Sequence, residues 1–454
     1  MPSSADHSLS LADPAPTLSG ADRVGLALVA AAFVALSVAA VSPAGPWLAG
    51  AGIGALLIGS LSWFVRYRGQ GSGIQGRGPW ASSMTARGVA GWIVGVALTT
   101  FYVLLYWAPS TLGHLIRASD PLSEWMRGRE ADQWFLYGAL YTLAVLVMGV
   151  RAFIRYRHSR YHVIRTASVV FFQLGFAFIL PSLLVLFQQP EFYFHYFWPL
   201  KYDYLWPTSV SAFSSAGAVG VFMIFWGGLM ILVATPVLTY FFGKRWYCSW
   251  VCGCGALAET AGDPWRHLSD KSLGAWRIER WMVHSVLVLV VIVTGLLWTN
   301  SALGGALLGG VSGGFAQAYG FVIGLVFSGV IGVGFYPLMG ARVWCRFGCP
   351  MAAVLGLQQR FFSRFRITTN GGQCISCGNC SAYCEMGIDV RWYAQRGQNI
   401  VRAACVGCGV CATVCPRGVL KLENGPHAER FNGAALFERD RLGILTDEEV
   451  GAEP

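Results

Sequence analysis

The sequence predicts a mainly α-helical, polytopic membrane protein of about eight spans that carries a small α+β domain outside the bilayer. Three observations predict it: an apolar composition, eight hydrophobic segments of membrane-crossing length, and cysteines that all fall after residue 247. Of 454 residues, 55% are hydrophobic and 12% charged, and the mean hydropathy is +0.51. Soluble domains average about 25% charged residues, so most of this chain belongs in lipid. The formal charge of +10 sits at the ends of apolar segments. That is the pattern of membrane topology and not of a nucleic-acid footprint, so nucleic acid is not an expected partner.

In chain order, residues 1–22 read as a polar, Pro-containing, disordered tail without the basic n-region of a secretory signal. The apolar run after Arg23 therefore stays in the protein as a span. A span needs roughly 20 apolar residues to cross a ~30 Å hydrocarbon layer. Eight segments qualify, at about 24–43, 46–65, 88–107, 134–154, 167–188, 217–240, 281–301 and 318–339. The first two form a hairpin at Ser42-Pro43-Ala44-Gly45-Pro46. One set of inter-span loops holds fifteen basic residues, among them Arg66, Arg68, Arg77, Arg151, Arg155, Arg165, Lys244, Arg266 and Arg280. The other set holds four, Arg117, Arg127, Arg129 and Lys201. This asymmetry places the first set, both termini and every cysteine in the cytoplasm. Free thiolates need a reducing compartment, which points to the same face independently.

Two loops on the other side carry content. Residues 108–133 hold an amphipathic stretch, Ser119 to Met126, suited to the interface. Residues 190–207 are dense in Tyr, Trp and Phe, and such rings favour the headgroup boundary. Their functional alternative is a docking surface for an outer redox partner, or the lip of a quinone pocket with Glu191, His195 and Asp203 handling protons. Within the spans, Gln173 is expected to hydrogen-bond to a neighbouring helix. His284 shares a face with Arg280 and reads as a packing residue. No second intramembrane histidine is placed to join it as an axial ligand, so haem b is not expected.

The most informative stretch runs from Cys374 to Cys415. It reads C-I-S-C-G-N-C-S-A-Y-C, twenty residues, then C-V-G-C-G-V-C-A-T-V-C-P. Two runs of C-x2-C-x2-C-x3-C are the ligand pattern for two [4Fe–4S] clusters, in which the last cysteine of each run crosses to the other cluster. That assigns Cys374, Cys377, Cys380 and Cys415 to one cluster, and Cys405, Cys408, Cys411 and Cys384 to the second. Zinc takes four ligands and has no use for the third regularly spaced cysteine. The expected domain is thus a two-cluster ferredoxin-like one over residues 366–424, and the expected chemistry is electron movement.

A second constellation precedes it. Gly243-Lys-Arg-Trp-Tyr-Cys248-Ser-Trp-Val-Cys252-Gly-Cys254 and Gly340-Ala-Arg-Val-Trp-Cys345-Arg-Phe-Gly-Cys349-Pro share Gly, Arg, an aromatic and two cysteines at a constant offset of 97. Each copy follows a span, so about 167–258 and 281–355 read as an internal repeat within a helical domain of residues 23–365. The i, i+4 spacing puts each C-x3-C pair on one helix face. Pseudo-twofold packing would gather Cys248, Cys252, Cys345 and Cys349 at the inner membrane surface, with Cys254 to spare. A third metal site that relays electrons, a copper(I) site, a redox-active disulfide and reduced structural thiols all remain open. Arg245 and Arg342 would stabilise thiolate in any of the active options.

At these residues the chain resembles the NapH/NosR/CcoG group of membrane polyferredoxins, through the paired C-x3-C elements, the double ferredoxin run and C-E-M-G-I-D-V. The resemblance covers about residues 217–424 and is nearest to the NapH type. It implies a bacterial inner-membrane protein that passes electrons between the quinone pool and a partner redox protein or larger respiratory complex, as a quinol dehydrogenase component. The CcoG type instead implies copper reduction during oxidase assembly, so a metalloenzyme maturation factor is the rival. Departures are Gly253 in place of Pro, the extra Cys254, and Glu385 where Pro is usual after the first ferredoxin run. The absence of an outer flavin domain counts against the NosR type and that of a long β-rich tail against the CcoG type, while spans one to four have no counterpart. Residues 416–424 are expected to close the ferredoxin fold with a short strand, and 425–454 to form an acidic mobile tail.

Overall fold

A computed structural model describes residues 19–42, 45–66 and 85–425. Residues 43–44 of the first hairpin, Arg68, Arg77, most of the N-terminal tail and residues 426–454 lie outside the described residues. Eight helices are long and apolar enough to cross a membrane. They are α1 (Gly20–Val41), α2 (Gly45–Arg66), α3 (Val89–Trp107), α4 (Gln133–Tyr156), α5 (Arg160–Leu186), α6 (Ala218–Phe242), α7 (Leu273–Ala302) and α8 (Ser312–Ile331). The protein is a polytopic helical membrane protein followed by a small α+β domain.

Local chemistry explains the boundaries. Ser19 caps α1 in a reciprocal box with Asp22, and Asp132 caps α4 by accepting from Phe135 N at 2.7 Å. Small residues hold α1 on α2: a β-carbon on Gly52 would sit 3.2 Å from Ala32 O, and one on Gly59 3.2 Å from Gly25 O. Lipid provides no hydrophobic drive between helices, so such close backbone approach supplies the association. α7 starts eight residues before its apolar run because Ser272 accepts from Ala275 N at 3.1 Å and caps it there. α8 stops at Ile331, eight residues short of its hydropathy limit. Gly332, Gly334 and Pro337 break the helix, and Gly334 instead packs its backbone against Thr99 of α3. Wide π-helical turns interrupt α5, α6 and α8, at Phe172–Ile179, Met230–Ala234 and Gly320–Ile331. Such turns are frequent near functional sites.

Gln173 Nε2 donates to Thr142 Oγ1 of α4 at 3.1 Å. His284 Nδ1 lies 2.6 Å from Arg280 O, a contact within its own helix.

The aromatic loop differs most from expectation. It folds back between the helices. Trp198 Nε1 donates to Thr294 Oγ1 of α7 at 3.3 Å, and Trp226 Nε1 of α6 donates to Phe194 O at 2.8 Å. Tyr202 packs against Gly320 and Gly324 of α8. At its tip, His195 O accepts from Tyr247 Oη at 2.6 Å, and Phe197 meets the Tyr247 ring edge-on at 5.3 Å. Glycines on α8 and the paired ring contacts leave room for aromatic side chains that hydropathy alone assigns to headgroups.

The C-terminal domain is a two-stranded antiparallel sheet, β1 (Arg366–Thr369) with β2 (Leu420–Glu423), in the register Arg366↔Glu423 to Thr369↔Leu420. Two cysteine loops lie between the strands, each leading into a one-turn helix, Asn379–Ala382 and Val410–Thr413. Equivalent glycines, Gly378 (φ 81°) and Gly409 (φ 80°), precede these helices in the left-handed region, which lets the third cysteine of each run turn inward.

Candidate functional site

The first ferredoxin cysteine set, Cys374, Cys377, Cys380 and Cys415, lines one hollow together with Ile375, Arg391, Pro416 and Arg417. Three of these cysteines come from the first run and one from the second. Cys411 lies in the electrostatic field of Cys408, Cys405 and Cys384, and then of Cys380 from the first set. Backbone N–H groups point at the sulfurs, as Ile388 N does at Cys384 Sγ, 3.4 Å away. All thirteen cysteines are free thiols. Eight soft ligands in two such groups, one of them around a hollow, fit iron–sulfur cubanes.

The paired C-x3-C cysteines form a second sulfur group further into the bundle. Cys248, Cys252, Cys345 and Cys349 are all buried in one continuous core, with Cys254 packed against it. The pairs do not ride on one helix face. Cys248 ends a short helix (Arg245–Cys248) and Cys252 caps the next (Gly253–Glu259); Cys345 lies in a wide turn (Trp344–Gly348) and Cys349 caps Pro350–Phe361. The second cysteine of each pair thus sits at a helix start, where N–H groups stabilise thiolate. Ala352 N donates to Cys349 Sγ at 3.4 Å, and the N–H groups of Cys254 and Gly255 serve Cys252.

Glycine conformation makes these turns. Gly243 (φ 66°) and Gly340 (φ 94°), which open the two matching C-x3-C segments, both lie in the left-handed region. A β-carbon would come 2.6 Å from Phe365 Cδ1 at the first and 2.8 Å from Ser269 N at the second. Gly340→Ala is expected to lower stability by about 1–3 kcal/mol, read as a drop in the thermal midpoint in detergent with the span count unchanged.

The sulfur group packs beside the middle of α5 and not at its end. Gly253 O accepts from Tyr141 Oη of α4 at 2.8 Å, and a β-carbon on Gly253 would lie 3.0 Å from Gln173 Oε1, at the midpoint of α5, and 2.2 Å from Tyr196 Oη. The chain after α6 turns back up among the helices, and the aromatic loop descends to meet it from the opposite side. Glu191, His195 and Asp203 separate accordingly. Glu191 pairs with Arg127 and Arg129, and Asp203 with Lys201. His195 is buried at the tip, with neither ring nitrogen hydrogen-bonded among the described residues.

Of the two arginines beside the C-x3-C pairs, one reaches sulfur. Arg342 Nη1 lies 3.7 Å from Cys345 Sγ and donates to Cys248 O at 3.0 Å. Arg245 points instead to the ferredoxin-like domain, stacking 4.2 Å above Phe365 and donating to Asn424 Oδ1 at 3.0 Å. Buried Lys244 supplies the positive charge near Cys248, with Nζ 3.2 Å from Ala403 O.

Sequence reasoning missed the ionic layer that joins the two sulfur groups. Glu259 pairs with Arg342 at 2.7 Å, Arg165 at 2.8 Å and Arg266 at 3.1 Å. Glu385 lies 3.0 Å from Arg266 Nη1 and 3.1 Å from Arg342 Nε, at angles that make the contact ionic rather than hydrogen-bonded. Asp263 joins Arg151, Arg155, Arg266 and the Tyr156 hydroxyl. Arg266 Nη1 is 3.7 Å from Cys408 Sγ, and Arg165 also bonds Cys408 O. Glu259, Glu385 and Cys408 lie close enough to share a cation, but these guanidiniums already occupy the carboxylates. Burial pushes the Glu259 carboxyl up, and the three arginines outweigh it and hold the group down at about 2. One signal was available: Glu259 and Asp263 are the only acidic residues between Asp203 and Asp270, and in an apolar chain each needs a cationic partner.

Comparison with known proteins bears on the same residues. A 4Fe-4S binding domain model matches residues 224–274 and again 320–368, and a 4Fe-4S dicluster domain model matches residues 373–420. Fold and matches together define a multi-pass membrane iron–sulfur protein. The chain is similar to the Escherichia coli (strain K12) protein YccM, named for electron transport, with 29% identity over 182 residues. That alignment covers 36% of this chain and 47% of the relative, so the chain spans about half the length of the protein it matches. No solved structure matches it.

Proposed function

We propose that the protein carries electrons across the inner half of a bacterial cytoplasmic membrane, between the quinone pool and a partner redox protein. Cys374, Cys377, Cys380 and Cys415 would hold one [4Fe–4S] cluster, and Cys384, Cys405, Cys408 and Cys411 the second. Cys248, Cys252, Cys345 and Cys349 would hold a further redox centre. The match of a 4Fe-4S binding model to both repeat copies favours iron–sulfur over copper or a disulfide there. The excess of basic residues on the cysteine-bearing side supports a cytoplasmic ferredoxin-like domain.

One observation carries this reading: the ionic layer touches Cys345 on one side and Cys408 on the other, so the buried thiols and the second cluster set share a wall. Clusters so placed supply one-electron storage. The chain's residues hold them, exclude water and surround the sulfurs with fixed positive charge, which favours the reduced state. A maturation factor that reduces copper is the rival, and it keeps its support in the deeply buried soft-ligand group. Protein prepared without oxygen and mixed with a menaquinol analogue should show cluster reduction. Clusters that stay oxidised while copper(II) is reduced would establish the rival instead.

The crossed ligand sets have their own test. Cys415→Ser is expected to remove the iron of one cluster, so that iron per protein falls by about four and the EPR signal of the other cluster persists. Loss of both signals together would contradict the assignment.

A further inference from the structure

We infer that the face around Cys374, Cys377, Cys380 and Cys415 docks a small acidic redox protein; this rests on the iron–sulfur reading above. Arg391 and Arg417 line the same hollow as the four cysteines, and both are exposed. Beside them, Trp392 is 43% exposed with the Arg396 guanidinium 4.2 Å above its ring, and Ile375 is 58% exposed. Exposed apolar and aromatic contacts rimmed by arginine are the composition of a protein-binding patch.

The domain that carries this face has an excess of positive charge. Residues 366–425 contain six basic residues, Arg366, Arg391, Arg396, Arg402, Arg417 and Lys421, against three acidic ones. Glu385 is buried in the ionic layer, and Asp389 and Glu423 keep their charge while accepting from Ser381 Oγ at 2.6 Å and from Thr368 Oγ1, which leaves the basic residues in excess. The partner that fits is therefore negatively charged.

Position gives the face its use. Cys377 is exposed, whereas Cys405 and Cys411 of the other set are buried. The other set is shut against the helical domain by Arg165 and Arg266. An electron that reaches the ferredoxin-like domain leaves through the Cys374–Cys380 side. The step moves one electron from the reduced cluster to the partner's oxidised centre, with no bond made or broken.

Native cytochrome c is basic and its succinylated form is acidic, with the same haem, so the pair isolates charge. Full-length reduced protein in phosphatidylcholine nanodiscs is mixed with each, and haem reduction is followed by stopped flow. The acidic form is expected to react faster, with a second-order rate that falls about tenfold as salt rises from roughly 20 to 200 mM. The double variant Arg391→Glu/Arg417→Glu should slow the acidic probe on the order of tenfold and speed the basic one, with iron content and visible spectrum unchanged. If the variant leaves both rates as they were, the docking face is wrong. It is equally wrong if the salt effect depends on anionic lipid in the disc, since the arginines then bind headgroups. Wild-type protein that holds no iron overturns the cluster reading itself, and the inference with it.

Discussion

With Cys345 replaced by serine, reduction of the ferredoxin-like clusters by a menaquinol analogue is expected to disappear while those clusters keep their iron. The residue is buried in the core shared with Cys248, Cys252 and Cys349, and its sulfur is the one Arg342 reaches. Serine preserves volume closely and leaves the neighbouring helix starts intact, but its hydroxyl is a poor soft ligand. The eight ferredoxin cysteines belong to a separate set of loops, so they have no reason to lose metal. Iron assay and stopped-flow bleaching of the cluster absorbance read the two effects apart. A fall in iron by a whole cluster places a third cubane at the C-x3-C pairs. Unchanged reduction makes those thiols structural.

The second large effect lies in the ionic layer. Glu259→Leu is expected to destabilise the protein by about 3–5 kcal/mol, because it strands buried positive charge on Arg165, Arg266 and Arg342. The carboxylate is 2% exposed, so water cannot replace it. Detachment of the ferredoxin-like domain should appear first, as faster protease cleavage between Phe361 and Arg366 and as bleaching of the cluster absorbance. Combining the change with Arg165→Met should recover part of the loss, since a buried pair removed together costs less than one partner removed alone. If Glu259→Leu is as stable as the parent, the layer is not what joins the domains.

How much of this could be read from the chain depends on the range of the physics involved. Hydropathy is a local sum, so all eight spans were legible, with the largest boundary errors where a helix starts before its apolar run, at Arg160 and Ser272, or where glycine ends it, at Gly332. The cysteine-rich domain was legible because spacing of two and three residues already defines a turn. The helix-face reading of C-x3-C failed for the opposite reason. Gly243 and Gly340 end the preceding helix in the left-handed region, and the chain restarts at Cys252 and Cys349 as caps. Arg245 and Arg342 are equivalent by offset and differ in role, since only packing aims one at Phe365 and the other at Cys345.

By itself, the sequence determined the eight-span membrane architecture, the soft-ligand chemistry and the repeat that doubles the C-x3-C pair, because each is encoded within a few tens of residues. Tertiary structure alone decided the depth of the buried thiols at the middle of α5, the descent of the aromatic loop onto them, and the meeting of Arg165, Glu259, Arg266, Arg342 and Glu385. Those residues come from five segments spread over 220 positions, from Arg165 to Glu385. In a low-dielectric interior the partner of a charge is whichever opposite charge the fold delivers, and no local pattern names it.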